Sequence, residues 1–187
     1  MTIQAGVRTR AKTAGVFYLL NILAGVLALI FVNRGLAVYS DAAILFAAAC
    51  YVGVTLLFYS LFKPVDRKLS VLAAIFSLMG CAISALGPFH LLPSYISPLV
   101  FFGVYCLLIG YLVIRSAFLP RILGALMMFG GLGWMTYLSP QLVDHLVPYN
   151  MLPGVLGEVS LTLWLLGTGV NVQRWNDQAS AVAASRT

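Results

Sequence analysis

Charge is what this sequence has least of. Only 9% of its 187 residues are Asp, Glu, Lys or Arg, against roughly 25% in an ordinary soluble domain. A soluble fold of this size could not clothe its surface with so few charges, whereas in a bilayer apolar side chains can face outward. Acids are the scarcer sign, five against eleven basic residues. Cysteine is thin as well. Cys50, Cys81 and Cys106 lie far apart, each inside an apolar run, which excludes a C-x-x-C metal or redox pair and reads as small packing residues. No nucleophile elbow, phosphate loop, H-E-x-x-H or pair of intramembrane carboxylates occurs. No catalytic residue, metal site or cofactor is therefore expected, and an enzyme is the less favoured class.

What the chain has is apolar length: 61% of its residues are hydrophobic. They gather into six segments, about 14–32, 42–62, 69–87, 98–114, 122–138 and 152–170, each near the roughly 20 residues that cross a bilayer as a helix. The fold expected is an all-α integral membrane bundle of six transmembrane helices, one domain over residues 1–175. A polar, alanine-rich stretch, 176–187, follows and reads as a mobile cytoplasmic tail. The first apolar run is too long for a cleaved signal peptide and is expected to stay as a helix. The short links at 63–68 (KPVDRK) and 115–121 (RSAFLPR) imply antiparallel neighbours. Ser97 followed by Pro98 reads as an N-cap with proline at the first helical position, and Asn150 with Pro153 suggests a similar start.

Orientation follows from the basic residues. With the N-terminus inside, the inner segments hold Arg8, Arg10, Lys12, Lys63, Arg67, Lys68, Arg115, Arg121, Arg174 and Arg186, and the outer links hold only Arg34. Such asymmetry places both termini in the cytoplasm. It also accounts for the net charge of +6 without nucleic acid, for which a basic stripe with interleaved aromatics is lacking. Tyr39, Tyr95, Tyr137 and Tyr149 fall near the outer helix ends, where amphipathic rings anchor.

Four stretches carry a likeness. They are AGVFYLL from Ala14, the residues 57–80 around the KPVDRK turn, GYLVIRS from Gly110 with LPRILG from Leu119, and LPGVLGE from Leu152 with LWLL from Leu163. On these the chain resembles the uncharacterised bacterial multi-pass family catalogued as domain of unknown function 4386. The resemblance implies a bacterial inner (plasma) membrane protein, and it implies no activity.

One residue stands out chemically. Glu158 is the only acid well inside a segment, about seven residues from its outer end, hence roughly 10 Å deep at 1.5 Å per residue. An ionisable group at that depth should face the bundle interior or a water-filled cavity, and it is expected to be largely neutral near pH 7. Gly154 and Thr162 share its helix face. Asn21, Tyr105 or trapped water are the partners expected for it, so Glu158, Asn21, Thr162 and Tyr105 form the candidate ligand site. His90, Asp144 and His145 lie in outer links and form a weaker polar set. Ser70, Ser77 and Ser84, at sevens along the third segment, should face protein rather than lipid.

Three functions fit these residues. One is a binding or transport-type protein for a small solute or a proton, with an outward-facing site near Glu158. Another is a structural or accessory membrane subunit. The alternative from a different class is an intramembrane enzyme acting on a lipid or isoprenoid, pairing Glu158 with His90 or His145. The partners implied are the lipid bilayer and a small solute or lipid ligand; oligomerisation is left open.

Overall fold

The computed structural model describes residues 2–91, 93 and 96–184; Tyr95 lies outside them. Eight α-helices and no strand occur among the described residues: α1 (Thr2–Asn33), α2 (Ala37–Phe62), α3 (Arg67–Leu86), α4 (Pro98–Arg115), α5 (Arg121–Met135), α6 (Pro140–Leu146), α7 (Met151–Gly167) and α8 (Val172–Ala184). Six of them coincide with the six apolar segments to within a few residues, apart from α1, which runs a dozen residues further back. Unbroken apolar stretches leave the backbone no polar partner but itself, and the helix satisfies it. Four helices are long and apolar enough to cross a bilayer alone, or six if each of two bent pairs counts as one span. The fold is an all-α membrane bundle.

The connections obey local chemistry. Pro64 closes α2, and the Asp66 carboxylate then caps α3 by accepting the Leu69 N–H at 3.1 Å. That cap is plain in the string D-R-K-L, although the sequence reading took the segment only as a turn. Ser97 caps α4 as expected, its hydroxyl accepting the Leu99 N–H at 3.3 Å ahead of Pro98. Asn150 precedes α7 but its side chain makes no capping bond; the carboxamide instead donates to Thr136 Oγ1 at 3.0 Å.

Two helices lie across the ends of the bundle. A bend of 118° separates α6 from the helical stretch before it, and a bend of 103° separates α8 from α7. The sequence reading had the first as a link and residues 176–187 as a mobile tail. Residues 176–184 are instead the later turns of α8, which is held to the core at its start. Trp175 Nε1–H donates to the Leu61 carbonyl at 2.8 Å, and Ala117 N–H donates to Gln178 Oε1 at 3.3 Å.

Each long helix packs on the next in chain order, α1 on α2, α2 on α3, α3 on α4, α4 on α5 and α5 on α7, and α7 returns to α1. The six therefore close a ring. Outside it stand Leu23, Phe46, Leu56, Ile75, Phe129 and Leu163, all exposed, an apolar exterior of the kind that a bilayer covers. Inside it Tyr18, Phe58, Phe62, Ile109, Met127 and Leu165 are fully buried.

Glycine sets the closest seams. A Cβ on Gly110 would stand 2.6 Å from the Gly124 carbonyl oxygen, and one on Gly124 only 2.5 Å from that of Gly110. Gly103 and Gly131 face each other in the same reciprocal way. These two pairs, seven residues apart on each helix, lock α4 and α5 in antiparallel register with their backbones touching.

Candidate functional site

Glu158 sits in the middle of α7 as its eighth residue. One turn before it is Gly154, where any Cβ would collide with the Trp134 ring. Glycine at 154 lets the indole lie across α7, and from there Trp134 Nε1–H donates to Glu158 Oε1 at 3.1 Å. Cys106 of α4 donates its S–H to the same oxygen at 3.7 Å. On the far side of the carboxylate, Thr162 spends its hydroxyl on the Glu158 backbone carbonyl at 2.7 Å. The glutamate is thus held by three helices of the ring.

Beneath it is an aromatic floor. Tyr51 packs against Phe102 with ring centroids 4.6 Å apart and edge-on against Tyr105 at 5.6 Å. Its hydroxyl meets that of Tyr18 at 3.3 Å. Deeper still, Thr55 donates to the Tyr51 carbonyl at 2.8 Å, which leaves Ser77 to donate to Thr55 at 2.5 Å. Ser70 and Ser77 are buried and Ser84 lines the cavity described next, so this face of α3 looks into the protein, as its spacing suggested.

Above the floor a cavity of about 480 Å³ occupies the half of the bundle remote from the KPVDRK and RSAFLPR turns. Its walls come from α1, α2, α3, α4, α5 and α7 and are mostly apolar, among them Val26, Leu29, Ile44, Phe102 and Val155. The polar groups on them are few: Asn21, Ser40, Tyr51, Ser84, Trp134 and Glu158. An apolar cavity with a few convergent polar groups is the usual form of a ligand site.

Among the described residues, three of those groups keep an unpartnered polar atom: the Ser84 hydroxyl and, at the candidate site itself, Glu158 and Asn21. Both hydrogen bonds to the glutamate go to Oε1, and among the described residues Oε2 accepts none. Asn21, halfway along α1, makes no hydrogen bond to any described residue. Neither belongs to the fully enclosed unpartnered atoms, which are Tyr105 OH, Tyr137 OH and Asn150 Oδ1; both keep open surface on the cavity wall. An unsatisfied polar group in an apolar medium costs about 1–3 kcal/mol even by protein-based measures. Two such groups facing one cavity call for a polar occupant.

Glu158 and Asn21 of the sequence-derived set therefore come together on one cavity. Tyr105 and Thr162 do not join them there. Tyr105 is 1% exposed and turned toward Tyr51 and a void too small for water, because it precedes Cys106 by one residue and so points about 100° away around α4. Thr162 is likewise enclosed, its hydroxyl bonded to backbone. His90, Asp144 and His145 are exposed and line no part of the cavity. No group of three or more His, Cys, Asp or Glu able to hold a metal occurs among the described residues. Trp134 and Cys106 escaped the sequence reading. They stand 24 and 52 residues from Glu158, and only ring closure brings them to it.

The family described as "Domain of unknown function (DUF4386)" matches residues 33–96 and 90–169, a stretch that holds Cys106, Trp134 and Glu158 and begins after Asn21. A protein of Archaeoglobus fulgidus, described as "Uncharacterized protein", is 32% identical to the chain over 151 residues, which is 77% of this chain and 93% of that protein. Because that relative is archaeal, likeness alone assigns the chain to no bacterium. No solved structure matches the chain significantly. With a polytopic helical bundle and matches across most of its length, the chain belongs to the family of domain of unknown function 4386.

Proposed function

We propose that this protein is a ligand-binding membrane protein of transport or receptor type, whose site is the cavity at Glu158 and Asn21. The observation that carries this reading is the pair of unpartnered polar groups on one apolar cavity wall. A purely structural subunit would have little reason to keep such groups unsatisfied, since closing the cavity on them would stabilise the bundle. No Lys, Arg or His lines the cavity, so a cationic or proton-donating ligand supplies what the carboxylate lacks. The enzyme reading loses its acid–base pair, because neither histidine lines the cavity.

The membrane we propose is the plasma membrane, with both termini cytoplasmic. Among the described residues, nine basic ones at the end of the KPVDRK and RSAFLPR turns against Arg34 at the other support that orientation. The cavity then faces outward, and the basic turns face the anionic inner leaflet.

Trp134 touches the carboxylate, so its fluorescence reports the site. In purified protein carrying Trp164→Phe and Trp175→Phe, a small amine bearing a nitroxide should quench Trp134 saturably. Glu158→Gln should weaken the half-saturation by about tenfold, the worth of roughly 1.4 kcal/mol. Quenching that is linear in probe, and equal in the two proteins, would overturn the reading.

A further inference from the structure

The seam between α1 and α7 is closed at one level and open at another. At Gly15 it is tight: a Cβ there would lie 3.0 Å from Leu166 Cγ and 3.2 Å from Leu165 Cβ. At Gly25, ten residues and about 15 Å further along α1, a Cβ would meet nothing within 4 Å. Gly25 is on the cavity wall. The residues that flank it there belong to both worlds. Val26, Leu29 and Val32 of α1 and Val155 of α7 line the cavity, yet they are between 47% and 55% exposed. They are apolar without exception, at a level where the exterior of the bundle faces acyl chains.

We infer that the cavity opens sideways into the bilayer between α1 and α7, and that its ligand is a single-tailed amphiphile with a cationic amine head. This deepens the proposed function and rests on it. The chemistry divides by position. At the inner end of the cavity Glu158 Oε2 and the Asn21 carboxamide offer an acceptor of negative charge and a neutral hydrogen-bonding group. An ammonium head satisfies both and brings the counter-charge that no lining residue provides, so the carboxyl, neutral in the empty cavity, is ionised when the amine is bound. From there to the seam the α1 and α7 walls are mainly valine, leucine and isoleucine, which offer a small water-soluble ion little. They offer an alkyl tail roughly 0.8 kcal/mol for each methylene taken out of water, and less for one arriving from lipid. A lipid-borne ligand also needs no route through the polar outer links, since the seam admits it from the leaflet in which it already resides. A carboxylate head would meet Glu158 as a like charge and is disfavoured.

Three nitroxide probes separate these possibilities in phosphatidylcholine nanodiscs, with Trp134 quenching in the Trp164→Phe, Trp175→Phe background as the readout. They are an octadecylamine labelled in its tail, the stearate labelled at the same position, and the small nitroxide amine. The labelled octadecylamine should reach half-saturation at about one tenth of the concentration needed by the stearate, a factor worth one ionic hydrogen bond, and at about one tenth of that needed by the small amine, which lacks the tail. Gly25→Leu puts a side chain into the open seam. It has space there, and leucine is the better helix former by nearly 1 kcal/mol, so the bundle should hold. That variant should abolish the advantage of the long-chain amine, so that the two amines reach half-saturation at similar concentrations. If the two long-chain probes quench alike, or Gly25→Leu has no effect on them, the amphiphile and its sideways entry are refuted. Should the small amine still bind in a Glu158-dependent way in that case, the site itself stands. If no probe saturates, both the site and the amphiphile fail.

Discussion

Gly124→Val is expected to pry α4 from α5 and to lower the unfolding midpoint of the purified protein by roughly 5–10 °C. The Cβ of any residue at 124 would meet the Gly110 carbonyl oxygen at 2.5 Å and the Ile114 nitrogen at 2.9 Å. Both are backbone, so no rotamer change relieves the contact and the helices themselves must separate. The reciprocal contact of Gly103 with Gly131 is strained by the same movement, since the two pairs share one rigid seam. Overpacking of this kind costs about 1–3 kcal/mol or more, and 1 kcal/mol moves the midpoint of a chain this long by roughly 2–4 °C. Gly167→Ala is the control, because a Cβ at 167 meets nothing within 4 Å. Equal midpoints for the two variants would show that the glycine seam is not what holds the pair together.

Replacement of Glu158 should divide cleanly by shape and polarity. Glu158→Gln retains an oxygen in place of Oε1 and so keeps acceptors for the Trp134 N–H and the Cys106 S–H. It should fold with a midpoint close to that of the parent and bind the amine ligand about tenfold more weakly. Glu158→Leu removes the acceptor altogether and leaves an indole N–H inside the ring without a partner. Such a loss costs about 1–3 kcal/mol, and Trp134 should show it as a blue shift and a change of lifetime. A leucine variant as stable as the glutamine variant would mean that the Trp134 and Cys106 bonds contribute nothing, and that Glu158 is positioned by something else.

The bundle was legible because its signal is long and local. Six apolar runs near the length of a bilayer crossing, separated by basic turns, leave few ways to fold, and α2, α3, α4 and α7 begin and end within a few residues of the segments read from the sequence. Helices α6 and α8 were missed for the opposite reason. PQLVDHL is a single pair of turns among loop residues, and VQRWNDQASAVAA is polar enough to pass for a tail. Its helix is fixed by contacts with Leu61 and Ala117, which lie 114 and 61 residues away in sequence.

The candidate site was legible in half. A lone acid deep in an apolar run is conspicuous, and so is a lone asparagine such as Asn21. Which residue answers the carboxylate depends on ring order and on rotation about each helix axis, and hydropathy reports neither. Tyr105 was expected and Cys106 is there, a difference of one residue. Trp134 could have been suspected from Gly154, since a glycine one turn before a buried carboxylate leaves room for a large donor, but the sequence does not say which of three tryptophans takes it.

The central claim, that Glu158 and Asn21 face one cavity reached from outside the cytoplasm, is most directly tested by labelling Asn21→Cys with an ammonium-bearing thiosulfonate that does not cross membranes. The native thiols at 50, 81 and 106 are all buried and supply the internal baseline. In right-side-out vesicles the introduced thiol should react at least about tenfold faster than that baseline, and an amine ligand that occupies the cavity should slow it. In inside-out vesicles it should not react. A thiol at position 21 no more reactive than the native three from either side would contradict the account.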